Sequence, residues 1–79
     1  MYDLPHPAGA RLHQVQLHAL ALGTWRDAEL LVRLRWDTFL VADRASRPGA
    51  FGAYLAALDA EAMAADELAS AHADLAHAA

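Results

Sequence analysis

Five histidines, His6, His13, His18, His72 and His77, are the side chains of this 79-residue chain best suited to chemistry. Neutral imidazole is the commonest metal ligand, and it is the side chain whose ordinary pKa lies closest to neutrality. Two histidines share a metal from one helix when they stand four residues apart on one face. Here His13 and His18 are five apart, as are His72 and His77, which places the members of each pair about 140° from one another. Asp74 with His77 is a weaker i,i+3 pair. The spacing therefore predicts no metal ligand set and no cofactor. Protonation of all five would add five positive charges to a formal charge of −4, a mild pH response with no visible switch.

Other chemistry is sparser still. There is no cysteine, so disulfides, thiolate metal sites and cysteine nucleophiles are excluded. The serines are Ser46 and Ser70. Neither has an evident His–acid partner, and no glycine-rich phosphate loop follows a strand. The sequence predicts that the chain is not an enzyme. The segment that would serve as a DNA-reading helix, after Arg47-Pro48-Gly49, contains neither Arg nor Lys. Phosphate neutralisation supplies most nucleic-acid affinity, so direct binding to nucleic acid is not expected. The charges from Pro48 onward are Asp59, Glu61, Asp66, Glu67 and Asp74. A metal- or small-ligand-binding bundle built on the histidines, and an acidic nucleic-acid mimic or transcription-associated regulator, stand as alternative readings.

Composition bounds what must position these residues. At this length one small domain is expected, and a single core is marginal, so oligomerisation is a common remedy. Hydrophobic residues make up 57% of the chain, above the usual range for a small soluble domain. The chain has no Lys, Ile or Asn and is crowded with Ala, which points to a GC-rich gene of a bacterium or phage. The first seven residues carry neither a basic n-region nor an apolar h-region. No apolar run approaches the ~18 residues of a bilayer span. A cytoplasmic location without membrane contact is the expectation.

Turn chemistry divides the chain. Pro5, Pro7 and Gly9 predict an extended N-terminal arm over residues 1–9, followed by a single helical domain over 10–79. The first helix is expected over about 10–22, with Leu12, Val15, Ala19 and Leu22 on one face. A strand is the competing reading, because Val15, Leu17, Ala19 and Ala21 alternate with polar neighbours; the Ala and Leu content favours helix. Gly23 suits a helix C′ position and Thr24 an N-cap with acidic Asp27 at N3, so a second helix is expected over about 25–45. Ser46-Arg47-Pro48-Gly49 then predicts a turn or a new helix entry, and a third helix is expected over about 48–76. Its first half presents Phe51, Tyr54, Leu55, Leu58 and Met63 for packing, whereas Leu68 and Leu75 stand among alanines that bury little area.

The segment from Trp25 to Arg44 is apolar around most of its girth. At 100° per residue, Trp25, Ala28, Val32, Trp36 and Phe39 share one face, and Leu30, Leu34 and Val41 form a second about half a turn away. Glu29 to Arg33 and Arg33 to Asp37 are favourable i,i+4 relations. Arg35 falls within the apolar arc, where it either lays its stem along the core edge or pairs with a carboxylate of the acidic C-terminal helix. An arc this wide exceeds the ~100° stripe of a surface helix. The prediction is therefore an all-α, three-helix domain, a hairpin crossed by a long third helix, assembled as a homodimer with the middle helix near the two-fold axis. Trp25, Leu30, Arg33, Leu34, Arg35, Trp36, Phe39 and Val41 are the expected interface. The function that follows is a non-catalytic protein–protein interaction module, an adaptor or inhibitor docking on a larger bacterial protein.

Overall fold

In the computed structural model, which describes residues 7–77, the chain is all-α and consists of two helices, α1 (Pro7–Val41) and α2 (Arg47–His77). They run antiparallel as a hairpin with extents of 69 × 18 × 15 Å and a radius of gyration of 18.6 Å. A compact domain of this length would have a radius of gyration of about 12 Å. The molecule is thus a rod.

Three expectations are corrected. The break at Gly23–Thr24 does not occur, and the two helices expected over 10–22 and 25–45 are one helix of 35 residues. Thr24 does not cap. Its Oγ1 donates back to the Leu20 carbonyl at 3.1 Å, the bond a threonine makes in mid-helix, and Gly23 has no positive φ. A helix-interior glycine costs about 1 kcal/mol, which packing against α2 outweighs. Second, Pro7 to Gly9 belong to α1 and not to an arm. Proline suits a first helical turn because the N–H it lacks would have no intrahelical partner. The remainder of the expected arm, including His6, lies outside the described residues. Third, no third helix crosses a hairpin; the segment expected over 48–76 is α2, the return limb of the hairpin itself.

α1 ends at Val41, earlier than Ala45, and the five-residue turn explains why. The Ala42 N–H bonds Phe39 O at 3.2 Å, a tightened last turn. The Asp43 carboxylate accepts the Ser46 N–H at 2.8 Å, while Asp43 O and Ser46 O accept the N–H groups of Arg47 and Ala50 at 2.9 and 3.0 Å. Arg47 reaches back to the Ala42 carbonyl at 3.4 Å. The turn thus satisfies several of the open backbone groups where α1 ends and α2 begins.

The seam between the helices follows a seven-residue repeat. On α2 the partly or fully covered positions include Ala50, Ala57, Ala64 and Ala71, and Tyr54, Glu61, Leu68 and Leu75. On α1 they include Gln14, Ala21 and Ala28, and His18, Trp25, Val32 and Phe39. Repeats of seven keep two helices in contact by supercoiling them. Alanines are the centre of the packing: Ala57 and Ala64, 4% and 5% exposed, are the buried hydrophobic residues among those described, and Ala64 lies in the half of the segment expected to pack weakly. Phe51, Leu55 and Met63, expected to pack, are exposed.

Along its length the seam changes character. Near the turn it is aromatic, with Trp36 against Tyr54 (ring centroids 5.0 Å), Phe39 against Phe51 (5.4 Å) and Trp36 against Phe39 (5.4 Å). Toward the open end it is polar. Trp25 Nε1 donates to Glu61 Oε1 at 3.0 Å, His18 faces His72 with ring centroids 5.6 Å apart, and the Gln14 Oε1 is buried with no hydrogen-bond partner.

Candidate functional site

A 100° step per residue puts Leu12, Gly23, Leu30, Leu34 and Val41 within about 40° of one another on α1, roughly opposite Ala21, Ala28 and Val32 of the seam. α2 covers the seam and leaves this outer face open. Leu30 is 54% exposed, Leu34 51% and Val41 84%. Leu12, Leu20 and Leu40 are exposed too. From Leu30 to Val41 the apolar row runs about 16 Å, at 1.5 Å per residue.

The eight residues expected at an interface divide between two sides of α1. Trp25, Trp36 and Phe39 stand on the seam side, and each has a partner within the chain: Glu61 for Trp25, Tyr54 for Trp36, Phe51 for Phe39. Leu30, Leu34 and Val41 stand on the outer side. Arg33 pairs with Glu29 one turn earlier, both on the solvated flank. Arg35 is exposed and makes no ion pair with α2 among the described residues, where Arg33–Glu29 is the salt bridge present. The physical reason lies in the repeat. Arg35 stands seven residues after Ala28, but near the turn the contacts across the hairpin are made by Trp36 against Tyr54 and Phe39 against Phe51, and Arg35 is left exposed.

The surface area gives these facts a scale. The chain exposes 6088 Å², whereas the scaling for folded monomers gives about 4,700 Å² for 8.5 kDa. No side chain is fully buried among the described residues.

Sequence reasoning missed the His18–His72 pair, because it tested histidines along single helices. The partnership crosses the hairpin, in the same antiparallel register that sets Trp36 against Tyr54. The signal that would have found it is the seven-residue repeat of alanines in α2, which fixes the facing side of that helix. Of the other histidines, His13 is exposed, and His77 donates from Nδ1 to the Ala73 carbonyl of its own helix at 2.7 Å.

No helix among the described residues is long and apolar enough to cross a membrane. No family model, curated protein or solved structure matches this chain.

Proposed function

We propose that this chain is a non-catalytic protein–protein interaction module that acts as a homodimer, with the outer faces of two α1 helices packed across a two-fold axis. The observation that carries the reading is the combination of a core whose buried members are two alanines with an open row of Leu30, Leu34 and Val41. A hairpin with so little covered apolar surface lacks the burial that stabilises a free-standing domain of this size. A second copy supplies it, since an apolar row is complementary to itself and two-fold pairing is the commonest closed assembly. In this arrangement each α2 remains on the outside of the pair. The pair is then an adaptor or inhibitor whose outward helices meet a larger bacterial protein.

Light scattering tests the assembly. The wild-type protein is expected at twice the 8.5 kDa chain mass, and Leu34→Glu at a single chain mass, with helical circular dichroism retained at 4 °C. Leu55→Glu, on the solvent side of α2, leaves the mass doubled. A wild-type mass of one chain at every concentration, or a doubled mass for Leu34→Glu, overturns the proposed dimer.

A further inference from the structure

We infer that the two copies join antiparallel, with the two-fold axis at the level of Val32, so that Leu30 of each chain packs on Leu34 of the other, Val41 enters the depression at Gly23, and Arg26 pairs with Asp37. This rests on the dimer reading above and adds to it an orientation and a register. On the outer side of α1 the pairs Leu30–Leu34, Gly23–Val41 and Arg26–Asp37 share one midpoint, at Val32 or within half a residue of it. A two-fold axis perpendicular to an antiparallel helix pair exchanges each residue with the one equally far beyond the axis. One placement of the axis therefore makes all three pairs, each of them twice.

Shape gives the first reason. Val41, 84% exposed, is the most exposed large hydrophobic residue among those described, and Gly23 is exposed with nothing within 4 Å of the place its Cβ would take. The outer row therefore carries a knob and a notch about 27 Å apart along α1, with Leu30 and Leu34 between them. Running the helices in opposite directions seats each knob in a notch. A parallel pair sets Gly23 against Gly23 and Val41 against Val41, and the notch stays empty.

Charge gives the second. Arg26 and Asp37 are about 20° apart around α1, on one edge of the row, and both are exposed. Neither makes an ion pair among the described residues, since Arg33 is joined to Glu29. The antiparallel axis brings like edge against like edge, so each Arg26 meets the Asp37 of the other chain, while Asp27 stands at the opposite edge of the row. Such complementarity selects orientation and register more than it adds affinity. Val32 lies about 12 Å from the midpoint of α1 (Pro7–Val41) on the turn side. The pair is thus about 24 Å longer than one hairpin, and the two open ends point away from each other.

Disulfide trapping tests the arrangement, because the chain has no cysteine of its own. Gly23→Cys and Val41→Cys chains, mixed in equal amounts and oxidised, are expected to give about tenfold more mixed disulfide than either self-disulfide. Two like thiols stand about 27 Å apart in the antiparallel pair, far beyond the reach of a disulfide. A statistical mixture, or an excess of self-disulfide, overturns the arrangement, and the dimer still stands if light scattering gives a doubled mass. A wild-type mass of one chain overturns both. Should the cysteine variants associate poorly, charge exchange decides: Arg26→Asp and Asp37→Arg each weaken association about tenfold, and the double variant Arg26→Asp, Asp37→Arg returns to within about threefold of wild type. A double variant no better than the singles overturns the register.

Discussion

Trp25 and Glu61, 36 residues apart in sequence, meet across the hairpin, with the indole N–H donating to the carboxylate at 3.0 Å. The bond sits between the aromatic part of the seam near the turn and its polar part, which holds Gln14, His18 and His72. A polar pair at one seam position fixes register, because any slip strands both partners in an apolar contact. Alanine repeats alone would tolerate such slips.

Removing one partner of that pair is costlier than removing both. Trp25→Phe leaves the half-buried Glu61 carboxylate without its donor and is expected to destabilise the hairpin by about 1–2 kcal/mol. The double variant Trp25→Phe, Glu61→Leu is expected to recover most of the loss, as urea unfolding of the four members of the cycle would show. Additive losses would mean that the bond contributes nothing to register or stability.

Gly23 offers a direct check on the continuity of α1. A Cβ built there meets nothing within 4 Å, and the backbone is helical with no positive φ. Gly23→Ala is therefore expected to stabilise by about 1 kcal/mol, read as a higher urea midpoint in the Leu34→Glu background so that association does not enter. At a helix terminus with left-handed geometry the same change would destabilise.

Close helix approach rests on small side chains. Ala57→Leu forces a larger group into the tightest part of the seam, where Ala57 is 4% exposed, and is expected to cost about 1–3 kcal/mol. Ala56→Leu, on the exposed side of the same turn of α2, is expected to stay within about 0.5 kcal/mol of wild type. Equal effects at the two positions would contradict the seam assignment.

The turn contributes one pH-dependent group, Asp43. Hydrogen bonds from the Ser46 amide and then its hydroxyl hold the Asp43 carboxyl below its ordinary value of 3.8. A group whose pKa is lower in the folded chain contributes stability above the ordinary value and loses it as pH falls through the folded value. The stability difference between wild type and Asp43→Ala is thus expected to be constant from pH 7 to pH 5 and to disappear only in acid below pH 3.8. A difference that already declines between pH 7 and pH 5 would assign it to another group.

Much of this was legible in the sequence, and the failures are informative. Helical character followed from composition, and a chain break near Ser46-Arg47-Pro48 followed from its residues, although the turn itself spans 42–46 and Arg47, Pro48 and Gly49 open α2. The two-sided apolar character of Trp25 to Val41 followed from a 100° step. Gly23-Thr24 misled because local capping chemistry favours a break there, whereas α2 packs against α1 on both sides of that point, at His18 and at Trp25, and the helix continues through it. The alanines of α2 misled in the other direction. Taken singly, Ala57 and Ala64 bury little area, and only their seven-residue repeat reveals that they set the distance between helices. Arg35 resists single-helix reasoning for the same reason: its place depends on which residue, 35 or 36, faces Tyr54. His18 and His72 are joined by register alone.

Concentration-dependent thermal unfolding tests most directly whether α1 needs a second copy to cover its outer face. Over a 100-fold range of protein concentration, the wild-type midpoint is expected to rise by roughly 5–10 °C, because association stabilises the folded chain by mass action. A midpoint independent of concentration, with Leu30, Leu34 and Val41 remaining open to solvent, would contradict it.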